Sequence, residues 1–187
     1  MITATTSTGC YMVTAFGIND AGLIVGPGVD PNNAARNVGI VFDSATSTAI
    51  EVGGLPGKNG AVAYDVSENG YVVGTSMQNQ GSGTPFIWDS ARGMREIALP
   101  AGTSNGSARG VNSSGWAVGN SSNSASIPFL FDGTTTYRLG DLLPAGSGWD
   151  LLTGTSNSAM GISDSGIIVG TGTHNGAVHA YAMVPKP

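Results

Sequence analysis

The chain has 187 residues and a formal net charge of −5, and only 10% of its residues are charged. It contains no cluster of Lys and Arg, so a nucleic-acid backbone or an anionic membrane surface repels it, and both are excluded as partners. No apolar run approaches the ~18 residues of a membrane-spanning helix, so no membrane insertion is expected, and the single Cys10 excludes an internal disulfide framework.

Beyond residues 1–14 the chain is built from a twelve-residue pattern that occurs four times. Each copy opens on Ala, has Ile or Val three residues later, and carries Gly, Val and Gly after seven, ten and eleven residues. The copies occupy residues 15–26, 63–74, 108–119 and 159–170. A repeat of about 45 to 51 residues is typical of propellers and solenoids.

Inside each copy the pattern predicts a β-hairpin. The first strand ends at the Ile or Val, and the turn closes on a Gly, which enters the left-handed backbone region freely. These turn glycines are Gly22, Gly70, Gly115 and Gly166. The apolar triplet that follows predicts a second strand, and its Tyr71 and Trp116 are assigned to the core because they share a position with Leu23 and Ile167.

Each repeat continues with further strands. Third strands are predicted over residues 39–43, 85–89, 128–132 and 180–184. The first three end on an aromatic residue and an Asp, which predicts a core side chain followed by a turn. Fourth strands are predicted over residues 49–52, 95–98 and 136–139, and each runs into a Leu-Pro pair whose proline ends the ladder.

Four short strands per repeat are the signature of a propeller blade. We therefore predict an all-β fold: a four-bladed β-propeller with about four antiparallel strands per blade, in a single domain over residues 1–187. Its repeats are residues 15–62, 63–107, 108–158 and 159–187. A β-solenoid is the competing architecture, although its coils are usually shorter and lack the doubled hairpin.

The fourth repeat is expected to lack its own fourth strand, because only three residues follow Val184. Eleven residues before Ala15 lies Ala4, and the same distance separates the fourth strands of earlier repeats from Ala63 and Ala108. The completing strand is therefore predicted to be Ile2, Thr3, Ala4, Thr5 and Thr6, from the same chain or from a neighbouring subunit. The accepting blade is predicted to offer His179, Ala180, Tyr181, Ala182 and Met183.

The hairpin copies, the aromatic-Asp strands and the Leu-Pro endings together resemble the HAF repeat of extracellular bacterial proteins. That repeat continues from its hairpin into a His-Ala-Phe-Leu-Trp strand, which His179-Ala-Tyr-Ala-Met183 matches best in this chain. The resemblance covers residues 15–184 and implies a secreted or surface protein with propeller-like repeats. It implies no catalytic residues, because the repeat is structural.

Few side chains occur in patterns typical of catalytic or metal-binding sites. Asp20, Glu68 and Asp164 share one turn position, where they either serve the turn locally or form a carboxylate ring that binds cations. His174 and His179 have no Cys or acid nearby in sequence to complete a zinc site. Because no nucleophile elbow and no paired acid and base are present, we expect no enzymatic activity, no cofactor and no metal.

The resemblance implies secretion, and together with the incomplete fourth repeat it leads us to predict a secreted structural subunit that polymerises with itself into an extracellular fibre or biofilm matrix. A donated N-terminal strand satisfies backbone donors and acceptors at about 1 kcal/mol each and buries Ile2. The alternative is a lectin-like propeller that binds extracellular polysaccharide. In that case Trp149, in the longest repeat, is the exposed residue that stacks on sugar rings.

Overall fold

The computed structural model describes residues 1–186, and it consists of β-strands and loops apart from one turn of 3-10 helix at Leu139–Leu142. The strands form four separate antiparallel sheets. No helix in this range is long and apolar enough to cross a membrane. The all-β class predicted from the sequence is confirmed.

Each sheet contains the strands of one predicted repeat, except that strand Tyr11–Met12 precedes the first repeat and strand Trp149–Asp150, within the predicted third repeat, joins the fourth sheet. The first sheet contains β1 (Tyr11–Met12), β2 (Gly17–Ile18), β3 (Leu23–Val29), β4 (Asn37–Asp43) and β5 (Thr48–Glu51). The second contains β6 (Gly60–Val66), β7 (Val72–Met77), β8 (Thr84–Asp89) and β9 (Gly93–Glu96). The third contains β10 (Asn105–Val111), β11 (Ala117–Ser122), β12 (Ser126–Phe131) and β13 (Thr136–Arg138). The fourth contains β14 (Trp149–Asp150), β15 (Ser158–Ile162), β16 (Ile168–His174) and β17 (Ala177–Met183).

The twelve-residue pattern forms one hairpin in each sheet, and these hairpins are β2–β3, β6–β7, β10–β11 and β15–β16. In the third sheet its first residue, Ala108, pairs with its last, Gly119, and Arg109 bulges out of the ladder. The bulge presses the carbonyl oxygen of Ser107 against Gly119, so that a Cβ atom there would overlap the oxygen. Glycines 26, 74 and 170 meet the same overlap. The closing glycine of the pattern is therefore imposed by this close backbone approach.

The turns form as the sequence predicts. The four turn glycines have φ values of 81°, 76°, 78° and 82° in chain order, which L-residues with a Cβ atom adopt only with strain. At the end of the third strands, Asp43, Asp89 and Asp132 each accept hydrogen bonds from backbone amides two and three residues ahead. The amides of Thr135 and Thr134, together with the Thr134 hydroxyl, lower the pKa of Asp132 to about 2.

The four sheets pack face to face in a row, in chain order. Between the second and third sheets, Val73 and Ile87 share one buried core with Ala108 and Phe129. Equivalent cores lie between the first and second sheets and between the third and fourth. Within the part of the chain that the structure describes, no strand of the fourth sheet packs appreciably on the first. The described row is therefore open at both ends.

Residues 1–14 lie against the first sheet. Strand β1 pairs with the end of β3, and Cys10 packs with Val38 and Ile40 in a small core. Of the two alternatives predicted for residues 2–6, completion of the fourth blade of the same chain is therefore wrong, because Thr5 bridges Tyr11 and Thr6 bonds Glu51 of the first sheet. The segment instead packs Cys10 and Met12 against Val38 and Ile40 of the first sheet.

Candidate assembly interface

Equivalent repeat positions differ sharply in burial between the middle and the ends of the row. The alanines that open the second, third and fourth copies of the pattern are all 0% exposed, whereas Ala15 is exposed. Val25, Val73 and Val118, at the valine position of the first three copies, are also 0% exposed, but Val169 in the fourth copy is 46% exposed. These end positions carry core residue types and have no neighbouring sheet within residues 1–186.

Exposed large apolar side chains gather at the same two ends. The first-sheet end face carries Tyr11, Val13 and Ile18, whereas the exposed Phe16 stacks on Tyr64 of the second sheet. The fourth-sheet end face carries Met160, Val169, Val178 and Val184. Because these side chains lie on the two sheets that have core residue types exposed, the end faces are the candidate interaction surfaces.

The fourth sheet also has an open edge. In the second sheet the third strand, β8, pairs with β9 through contacts such as Phe86 with Glu96. In the fourth sheet β17 pairs with β16 on one side, and in the described residues no strand pairs with its other side. The predicted acceptor residues His179, Ala180, Tyr181, Ala182 and Met183 all lie on this edge strand.

An apolar groove runs beside that edge, between the third and fourth sheets, with a volume of about 750 Å³. Leu130 and Leu143 line it from the third sheet, and Tyr181 and Met183 line it from the fourth. In the second sheet, Met94 of the fourth strand packs into the equivalent core between neighbouring sheets. The groove therefore lies where an added strand would place an apolar side chain.

Trp149 is not the freely exposed residue that the sequence predicts. Its ring is half-buried and lies 4.8 Å from the His174 ring, with Tyr181 and His179 at 6.0 and 6.5 Å against it. The Tyr181 hydroxyl donates to the carbonyl of Ser158 at 2.8 Å, and burial raises the pKa of Tyr181. Trp149 therefore supports the fourth sheet by packing, a role that its position in the insertion concealed.

Trp116 shows the reverse difference, because the sequence predicts it to lie in the core and it is more exposed than expected. It is 36% exposed and lines the mouth of the groove beside Gly166. Tyr71, one repeat earlier, lies beside Gly115 in the same way and is half-buried. Each of these rings therefore reaches the turn of the next sheet. Tyr71 also packs against the core that its own sheet shares with the third, as predicted, whereas Trp116 does not.

The acidic turn residues connect neighbouring sheets. Glu68 accepts a hydrogen bond from the backbone amide of Asp20 at 2.9 Å, and Asp164 accepts one from the amide of Ser113 at 2.8 Å. The sequence suggested a purely local role or a cation-binding ring. Among the described residues, no group of three or more His, Cys, Asp or Glu is placed to hold a metal ion.

The N-terminal segment is anchored at Thr6 and Thr8. Both hydroxyls donate to Glu51, the Thr6 contact at 3.2 Å, and Arg36 pairs with the same carboxylate. Burial alone would raise the pKa of Glu51, but hydrogen bonds from Thr8 and Arg36 outweigh it and hold this pKa below its usual value. Residues 1–4 donate and accept no hydrogen bond within the described chain.

Comparison with known structures places the fold in the β-propeller-like class. TolB from Acinetobacter baumannii is similar to this chain at a TM-score of 0.53 and 16% sequence identity, over 94% of this chain and 44% of the TolB chain. The chain thus spans less than half the length of that structure. A family model matches residues 2–184, and the chain belongs to this family, DUF3466, described as proteins of unknown function. No curated protein matches the sequence.

Proposed function

We propose that this chain is a secreted structural module in which four sheets are four propeller blades, and that copies associate head to tail into an extracellular fibre or matrix. The observation that carries the proposal is that residues buried at every internal junction are exposed at the two ends of the row. In the proposed contact, the fourth-sheet end face of one copy packs on the first sheet of the next, as Val73 packs with Ala108 inside the chain.

The same contact places the N-terminal residues of the second copy beside β17, the open edge of the fourth sheet. Inside the chain, Val52 follows the fourth strand of the first sheet and donates its amide to the carbonyl of Gly39 at 3.0 Å. Val52 precedes Ala63 by the eleven residues that separate Ala4 from Ala15. A second copy continuing the row therefore brings its own Ala4 beside β17, without any change in the spacing of the repeat.

The donor segment is shorter than residues 2–6. Thr5 forms a bridge with Tyr11, and Thr6 is buried and bonded to Cys10 and Glu51 of its own sheet. Ile2, Thr3 and Ala4 make no such contacts. They can pair with β17 of a neighbour while Thr6 keeps the segment anchored, so the cost of ordering falls on three residues alone.

The acidic turns continue the same arrangement. At two of the three internal junctions the carboxylate of the later turn accepts a hydrogen bond from the amide of the earlier turn: Glu68 from Asp20 and Asp164 from Ser113. At the ends of the row, the Asp20 carboxylate and the Asp164 amide have no hydrogen-bond partner within residues 1–186. Head-to-tail contact pairs Asp20 of one copy with the Asp164 amide of the other.

A cysteine crosslink tests this register. The repeat places Ala4 opposite Ala180, because Gly39 and Ala180 share one position in their third strands. In a Cys10→Ser background, we expect the pair Ala4→Cys and Ala180→Cys to form covalent oligomers on mild oxidation, since paired strand residues lie at disulfide distance. The pair Ala4→Cys and Val178→Cys is out of register and should crosslink far less.

Light scattering of the uncrosslinked chain gives the second arm of the test. If the rotation between neighbouring copies closes a ring of two, the product is a dimer. If that rotation does not close a ring, head-to-tail association gives longer assemblies. A monomer at all concentrations tested, or equal crosslinking of both cysteine pairs, contradicts the proposal.

A further inference from the structure

Arg109 is the one arginine in the described range without an acidic partner. The other four form ion pairs: Arg36 with Asp30 and Glu51, Arg92 and Arg95 with Asp89, and Arg138 with Asp141. Arg109 donates from Nε to the hydroxyl of Ser107 at 3.1 Å. Its two terminal nitrogens donate no hydrogen bond to described residues, although the chain carries a net charge of −5.

The Arg109 guanidinium is held in place by an aromatic ring. Its central carbon lies 3.9 Å from the centroid of the Tyr64 ring, a cation–π contact between the second and third sheets. The Tyr64 ring also stacks with Phe16 of the first sheet at 5.8 Å. Because the Nε bond and the ring fix its plane, the guanidinium presents its free end as a preorganised fork.

That fork borders a polar cavity of about 290 Å³ between the second and third sheets. Hydroxyl and amide side chains dominate its lining, including Thr75, Asn105, Ser107 and Ser122, and no carboxylate is among them. Tyr64 adds an aromatic side chain. The cavity thus combines one positive charge with many neutral hydrogen-bonding groups.

We infer that this cavity binds the carboxylate of an acidic sugar, of the uronate class. A guanidinium with two free terminal nitrogens accepts a planar carboxylate through two parallel hydrogen bonds. Arg109 is the one charged side chain in the lining, and its single positive charge balances one carboxylate. A phosphate dianion would require a second positive charge. The hydroxyl and amide lining suits the remaining hydroxyl groups of the sugar. The site lies between internal sheets, so it does not depend on association between copies.

Calorimetric titration with free glucuronate tests the assignment. We expect millimolar binding by the native chain, weakened about tenfold or more in Arg109→Gln, because the charge-assisted hydrogen bonds are lost. Arg109→Lys keeps the charge without the fork and should show an intermediate loss. Arg92→Gln is the matched control and should bind as the native chain does. Thermal unfolding of each variant shows whether its fold is intact.

Comparison ligands define the class. Methyl glucoside has the ring without the charge, and inorganic sulfate has charge without the ring, so both should bind at least about tenfold more weakly than glucuronate. Equal binding of sulfate would overturn the sugar assignment. No glucuronate binding by the native chain, or equal binding by a folded Arg109→Gln, would overturn the site itself.

Discussion

Val73 of the second sheet and Ala108 of the third share one buried core, whereas their repeat equivalents at the ends of the row, Val169 and Ala15, are exposed. The sequence builds the same surfaces at each repeat, but only internal repeats have a neighbour on both sides. Apolar burial contributes about 25 cal/mol per Å² of surface, so burying these end positions in the proposed contact between copies would be favourable.

A charge on the fourth-sheet end face should block association without unfolding the chain. Val169→Glu places a carboxylate where the proposed contact excludes water, and we expect only monomers by light scattering. The free energy of unfolding of the dilute chain should change by no more than about 0.5 kcal/mol, since the site is partly solvated. Ile50→Glu is the control, because Ile50 is equally exposed at 46% but lines the groove between the first and second sheets, away from the end faces. Association of Val169→Glu at native strength would argue against this interface.

Substitutions of Asp20 and Asp164, the acidic turn residues of the first and fourth sheets, should affect stability and association differently. Asp164→Ala removes the acceptor for the Ser113 amide, and we expect a loss of about 1 kcal/mol in unfolding free energy, measured by denaturant titration. Asp20→Ala removes a carboxylate that has no partner in the described chain, so dilute stability should not change while association weakens. If both variants lost stability equally, the assignment of Asp20 to an intermolecular contact would be wrong.

The closing glycine of the repeat should tolerate no side chain. In Gly170→Ala the new Cβ atom overlaps the carbonyl oxygen of Ser158, so the strand must shift. We expect a loss of about 3 kcal/mol in unfolding free energy. Gly161→Ala, in the partner strand, meets only the Val169 side chain at 3.5 Å and should cost much less. A similar small effect for both variants would show that the bulge is flexible.

Acid should weaken the turn after the third strand. The folded chain holds the pKa of Asp132 at about 2, below its ordinary value of 3.8, so this carboxylate stabilises the fold above pH 3.8 and loses its contribution as the pH falls toward about 2. Asp132→Asn should lower the unfolding free energy at neutral pH by about 1 kcal/mol and flatten its acid dependence. Glu96→Gln is the control, because the exposed Glu96 side chain accepts no hydrogen bond within residues 1–186. An unchanged pH profile for Asp132→Asn would contradict this role.

The repeat by itself determined the hairpins, the turn glycines and the third and fourth strands, because backbone geometry at a bulge or tight turn restricts which residues fit. It also indicated that β17 is an edge. It did not reveal that Glu68 and Asp164 reach across to neighbouring sheets, because such contacts join residues 48 and 51 positions apart. The signal was present only as a polar residue repeated at one turn position.

Only the tertiary structure decided which residues of the first and fourth sheets are buried and which are exposed. The sequence left open whether the N-terminal strand completes its own ring or a neighbour's blade, and it predicted an exposed Trp149. In the structure Trp149 packs on His174, and the segment from Thr5 onward lies against the first sheet. Arg109 likewise gained significance from its distance to Tyr64 and from the lack of an acid beside it. A repeated sequence specifies the same strands and faces each time, but burial depends on which neighbours are present, and that is a property of the assembled sheets.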